Sequence, residues 1–380
     1  MTDSIRPFPI HVPDAAIADL HRRLDAVRWP NRETVEDWSQ GVPLSAQQDL
    51  VAHWRSAYDW RQAEDWINQT GSYVTEVDGI DIHFLHIRSS HAGARPLLLT
   101  HGWPGAIFEF RKAIPALVDP VAHGGHITDA FHVVVPSLPG YGFSGKPTDT
   151  GWDVNRIAAA WEVLMERLGY GEDWLAQGGD WGAAITSRLG ARRHAGLASI
   201  HVNLPMVLPL SPAPPFSAEE QTMLDAMAYY TAQEAGYSTQ QATRPQTLGY
   251  ALADSPVGQA AWIYEKFSAW SDCVGAPEAV IARDAMLDII SLYWFSNSGA
   301  SSARLYWESF TTALFAQQLD LPVGCSVFPK EIYRAPRSWA DKCMSQIVHW
   351  NELDVGGHFA ALEQPALYVE EVRAWARQVG

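Results

Sequence analysis

Cysteine is nearly absent, with three residues in 380: Cys273, Cys325 and Cys343. An odd count with no CxxC spacing excludes a disulfide frame or a thiolate zinc site, and fits free thiols in a reducing compartment. Long apolar runs are missing too. The longest, such as residues 96–99, are strand-sized and far short of the roughly 18 to 20 residues that a bilayer span requires. The first ten residues show no basic segment followed by an apolar one, so no secretory signal is read there. The expectation is a soluble, cytoplasmic protein. Basic charge is scarce: 27 Lys and Arg face 43 Asp and Glu, a net charge of −16. Nucleic acid and anionic membranes recruit clustered Lys and Arg, so neither is an expected partner. Tryptophan, by contrast, is abundant, with 17 residues in a chain that is 47% hydrophobic. That composition describes a folded globular chain, and the excess of indoles suits a large apolar pocket.

The pattern changes along the chain. Residues 1–70 read as a helical meander. Asp14 is the candidate N-cap of a helix that buries Ile17, Leu20 and Leu24 and ends at Trp29-Pro30. A second helix, starting near Ser45, would bury Leu50, Trp54 and Tyr58. The tryptophans here predict a segment that packs onto the rest of the chain. From residue 72 the sequence alternates around Asp78-Gly79, a β-hairpin signature. Apolar runs at 97–99 and 131–135 each lead into a Gly/Pro-rich loop, helical periodicity covers 155–168, and a short strand is read at 174–176. A hairpin followed by alternating strands and helices predicts an α/β fold whose mostly parallel sheet is covered on both faces. Dense proline between 205 and 215 marks a boundary. Beyond it, 216–318 reads as mainly helical, and strands return at 322–328 and 347–353. The simplest topology is an α/β core in two parts, 71–206 and 319–380, with a helical cap inserted at 207–318.

Ligands of such sheets sit beyond the carboxyl ends of the strands, so the loops there are the first candidates. Gly178-Gly179-Asp180-Trp181-Gly182-Ala183 follows a strand and precedes a helical run. It has the spacing of a nucleophile elbow, with small residues two before, two after and three after Asp180. Serine is the usual occupant; here it is a carboxylate. At the positive end of a helix Asp180 stays ionised and could attack a saturated carbon, giving an ester of the enzyme. On these residues alone, an Asp that merely caps the helix is an equal reading. A second loop, His101-Gly102-Trp103-Pro104-Gly105, also follows a strand. Taken alone it is an ordinary Gly-Pro turn. Paired with the elbow, it makes the amides of Trp103 and Trp181 the candidate oxyanion hole. Sequence leaves open whether Trp103-Pro104 is cis. The third loop, residues 354–360, brings His358 late in the chain, in the order nucleophile, acid, base. Its orienting carboxylate should follow the preceding strand, which makes Glu331 the candidate, with Asp354 and Glu352 as runners-up. Glu331 could also simply favour the first turn of a helix.

With these motifs the chain resembles the epoxide hydrolases, in particular the microsomal-type branch with an N-terminal meander. The match covers nearly the whole chain: HGWPG at 101–105, PSLPGYGFSGKP at 136–147, GGDWG at 178–182, DSPVG at 254–258 and GGHFAALEQP at 356–365, with the Ile5-Arg6-Pro7-Phe8 start and the Val12-Pro13 helix entry. The mammalian members' membrane anchor has no counterpart in this sequence, which favours a soluble enzyme. The resemblance implies an α/β-hydrolase fold and a detoxifying hydrolysis of a small apolar epoxide by water to a vicinal diol. Asp180 would be the nucleophile, His358 the base and Glu331 its partner. Two cap tyrosines would hold and protonate the epoxide oxygen, and the matching positions are Tyr306 and Tyr237. Tyr229, Tyr230, Tyr264 and Tyr293 compete for that role. No metal or organic cofactor is called for. A homodimer is compatible with the sequence, which does not fix the oligomeric state. The nearest rival is a dehalogenase using the same Asp, with the Trp181 indole binding halide. A serine esterase lacks its nucleophile at the elbow, and a non-catalytic binding protein would not need the complete set.

Overall fold

The computed structural model describes residues 4–207, 213–310 and 318–379. The expected ends of the cap, near 207 and 318, therefore border residues outside the described set. A two-residue strand β1 (Arg6–Pro7) lies beside β2 (Ser72–Val77), which turns into β3 (Ile80–Ile87) through Asp78 and Gly79. Both turn residues have positive φ, 51° and 83°, as a two-residue hairpin turn requires. The remaining strands are β4 (Arg95–Thr100), β5 (Phe131–Pro136), β6 (Trp174–Gly178), β7 (Leu197–Val202), β8 (Leu319–Val327) and β9 (Met344–Glu352). Among the described residues they form one sheet in the order β1-β2-β3-β5-β4-β6-β7-β8-β9. Pairing is antiparallel as far as the β3–β5 contact and parallel from β5 to β9. Leu97 to Leu99, Val133 to Val135 and Leu175 are fully buried, the mark of strands covered on both faces.

Strand β7 is absent from the sequence reading. Ser199 and His201 interrupt its apolar pattern, yet both are buried, each with a hydrogen bond to the neighbouring strand. Ser199 Oγ donates to Pro322 O at 2.6 Å, and His201 Nε2 bonds to Ser326 Oγ at 2.9 Å. The meander differs from expectation in detail. Its first helix, Asp14–Asp25, has Pro13 at the N-cap, so Asp14 stands in the first turn and pairs with Arg61. It stops at Asp25, before Trp29-Pro30. The second helix, Leu44–Ser56, buries Leu50 and Trp54. Tyr58 lies beyond its end, half-buried, its hydroxyl donating to Asp288 at 2.9 Å. A third helix, Trp60–Thr70, is capped by Asp59 and closed by Gly71 in the left-handed region. The meander does pack onto the chain. Trp54 Nε1 donates to Ser291 at 2.9 Å, and Trp60 lies 5.1 Å from Phe295, both partners on the cap helix Arg283–Phe295.

The cap consists of helices between Ala218 and Ser309, including a π-type turn at Tyr230–Glu234. It covers the carboxyl ends of β4, β6 and β8. No helix among the described residues is long and apolar enough to cross a membrane.

Candidate active site

Strand β6 ends at Gly178, and the helix Trp181–Arg192 begins three residues later. Asp180, between them, has φ 52° and ψ −129°. This is a sparsely populated region for a residue with a Cβ, and it costs on the order of 1–3 kcal/mol. The glycines make the turn sterically possible. A Cβ on Gly178 would lie 2.2 Å from Gly182 O, and one on Gly182 would lie 1.9 Å from Thr100 O. Asp180 does not cap its helix with its side chain. Its Oδ1 instead accepts the Trp103 N–H at 2.7 Å, across the gap between two loops. The side chain is thus not a helix cap.

The Trp103 loop leaves β4 through His101. Burial lowers the His101 pKa to about 4, so the ring is neutral. Nε2 accepts the Leu138 N–H at 3.3 Å, so the proton sits on Nδ1, which donates to Gly102 O at 2.9 Å. The ring thus braces the loop that carries the amide. Gly102 is required here, since a Cβ would fall 2.2 Å from Asp180 Oδ1. The Trp103-Pro104 peptide is cis. Trp181 is the first residue of its helix, so its N–H has no partner within the helix.

His358 enters from the loop after β9. Its Nδ1 meets Glu331 Oε1 at 2.6 Å, and its Nε2 lies 3.5 Å from Asp180 Oδ2. A bridge between Lys330 and Gly357 holds the two loops side by side, and the His358 N–H donates to Trp270 O on the cap at 2.9 Å. Glu352 and Asp354 are exposed, and Glu352 accepts from the Trp350 indole. Burial works to lower the His358 pKa. The Glu331 and Asp180 carboxylates outweigh it and hold the imidazole well above its ordinary value.

Over the outer side of Asp180 the cap encloses a cavity of about 260 Å³, lined by Trp181, Met206, Met227, Tyr230, Tyr237, Tyr306 and Phe310 among others. Tyr237 stacks on Trp103 with centroids 4.9 Å apart, and Tyr306 stands edge-on to Trp181 at 4.7 Å. The Tyr306 hydroxyl is buried with no hydrogen-bond partner among the described residues, whereas that of Tyr237 meets Tyr230 at 3.0 Å. Burial first, then neighbouring phenols and the Asp180 charge, raise both pKa values well above that of a free phenol. Both therefore remain proton donors at neutral pH. The competing tyrosines separate cleanly. Tyr229 is exposed, Tyr264 donates to Glu278, and Tyr293 donates to Gly105 O at 3.0 Å. Tyr230 alone among them lines the cavity. A wider surface cleft of about 660 Å³, between the meander and residues 254–261, touches none of these groups. Among the described residues no cluster of three or more His, Cys, Asp or Glu could hold a metal ion.

The sheet order, the inserted cap and the strand-to-helix elbow define an α/β hydrolase. Comparison with known proteins agrees. The family described as "Epoxide hydrolase N terminus" matches residues 5–110, and the α/β hydrolase fold family matches 95–246. A Stigmatella aurantiaca protein, named provisionally as an epoxide hydrolase, is 57% identical over 376 residues, covering 99% of this chain and 85% of its own. Epoxide hydrolase 1 of Sus scrofa is 33% identical, with 98% and 88% covered. The solved epoxide hydrolase of Aspergillus niger superposes with a TM-score of 0.88 at 31% identity, covering 99% and 97%. The chain belongs to the epoxide hydrolase family.

Proposed function

We propose that the protein hydrolyses an epoxide to a vicinal diol through an ester on Asp180. The observation that carries this reading is a carboxylate poised between two phenols and a histidine. Oδ1 is held by the Trp103 amide, which leaves Oδ2 to attack an epoxide carbon in the apolar cavity. The carbon–oxygen bond breaks as Tyr306 or Tyr237 gives its proton to the departing oxygen, since an unassisted alkoxide leaves poorly. Ester formation removes the Asp180 charge, one of the two that raise the His358 pKa. The imidazole thereby becomes a better base at the moment a base is required. It takes one proton from water, whose oxygen attacks Cγ of Asp180. The oxyanion on Oδ1 rests on the Trp103 and Trp181 amides. On collapse the alkoxide leaves and takes the remaining water proton from the new hydroxyl on Cγ, which releases the diol and regenerates the carboxylate, and the proton on His358 restores the phenol.

A dehalogenase would need only N–H donors for its leaving group. The Trp181 indole N–H does lack an acceptor, but so do those of Trp161 and Trp174 in the core, so it marks no halide site. The phenols favour the epoxide. An epoxide panel assayed for diol, beside haloalkanes assayed for halide, tests the choice; halide release without diol would overturn it. The cavity walls favour an apolar, aromatic or terpenoid epoxide. We also place the enzyme in the cytoplasm, where its three free cysteines would stay reduced. Recovery in a membrane fraction would contradict that placement.

A further inference from the structure

Glu109 stands behind the site, on the short helix Ile107–Phe110 that follows the Trp103 loop. Glu109 is half-buried, and its carboxyl meets no other side chain among the described residues; the Ala106 N–H is its backbone partner. A carboxyl so placed keeps lone pairs that can hold a water. The loop is built to admit it: a Cβ on Gly105 would fall 1.4 Å from Glu109 Oε1. The two glycines of His101-Gly102-Trp103-Pro104-Gly105 therefore each make room for one carboxyl group, Gly102 for Asp180 and Gly105 for Glu109. Glu109, Asp180, His358 and Asn203 line a second cavity, of about 20 Å³. That volume admits one water molecule, given polar walls. It lies on the His358 side of Asp180 and shares only Asp180 with the apolar cavity.

We propose that Glu109 positions the water that hydrolyses the Asp180 ester, its carbonyl oxygen accepting one water proton while His358 Nε2 accepts the other. The water lone pair then points at Cγ of Asp180. Glu109 gains and loses no proton, and it acts by orientation alone. Burial, reinforced by the Asp180 charge and opposed by His358, raises its pKa to about 8 in the free enzyme, and either protonation state leaves an oxygen to accept a water proton. This role rests on the ester mechanism proposed above.

The test separates the two half-reactions with styrene oxide as probe, by rapid quench and mass analysis of the peptide that contains Asp180. In Glu109→Leu, ester formation should stay within about threefold of wild type while ester hydrolysis slows about 10–100-fold, so the adduct accumulates. Glu109→Gln keeps the carbonyl acceptor and should restore hydrolysis to within about threefold. Should the Leu variant not fold, Glu109→Asp shortens the reach and should also accumulate ester. Wild-type hydrolysis in the variant that folds, equal slowing of both half-reactions, or a Gln variant as slow as Leu would each overturn the role. A wild-type protein that forms neither diol nor ester would overturn the ester mechanism, and this role with it.

Discussion

Asp180 separates two unlike spaces. Above it lies about 260 Å³ walled by methionines, aromatic rings and phenols. Behind it lies about 20 Å³ bounded by His358, Glu109 and Asn203. The first can take an organic molecule and sets the phenols of Tyr237 and Tyr306 across from the carboxylate. The second can take a water and offers it an acceptor at each end. Ring opening and ester hydrolysis have opposite requirements, one an acid on a departing oxygen and the other a base on an arriving one. In the proposed mechanism the two steps fall on opposite sides of one carboxylate, which spares either group from doing both tasks.

The separation can be broken at five points. Asp180→Asn keeps the shape of the wall between the two spaces but removes its charge and nucleophile, and turnover should fall about 10⁴-fold or more; diol formation in freshly purified, non-deamidated protein checks this. His358→Gln damages only the polar side. Turnover should drop about 10³-fold while ring opening survives, leaving substrate mass on the Asp180 peptide. Tyr306→Phe damages only the apolar side. Ring opening should slow about 10²-fold with no ester accumulating, as stopped-flow tryptophan fluorescence would report. Tyr237→Phe should cost less, because Tyr230 stands 3.0 Å behind its hydroxyl. Glu331→Gln is the mildest and sharpest probe. Glu331 helps raise the His358 pKa, so its loss should move the acid limb of ester hydrolysis to lower pH and cut the plateau rate about tenfold. An unmoved limb would mean that Glu331 does not govern the base.

Much of this arrangement is legible in the sequence where backbone constraint leaves a local trace. Asp78-Gly79 marks the hairpin because two left-handed residues are required there, and Gly178 and Gly182 mark the elbow because neighbouring backbone fills the space of a Cβ. Contacts between distant residues leave no such trace. Strand β7 is hidden by Ser199 and His201, whose partners lie more than a hundred residues away. Tyr230 and Tyr237 look alike in sequence, and only the π-type turn at Tyr230–Glu234 brings both to the cavity. Glu109 reads as one more acid in an amphipathic stretch. What sets it apart is its place behind Gly105 and beside His358, which no spacing rule conveys.

The central claim is that Asp180, and not water, attacks the epoxide. A single turnover in oxygen-18 water, with enzyme in excess over styrene oxide, tests it most directly. Attack by Asp180 predicts a first diol free of heavy oxygen, with the label retained in the carboxylate of the Asp180 peptide. A labelled first diol beside an unlabelled Asp180 would contradict the account.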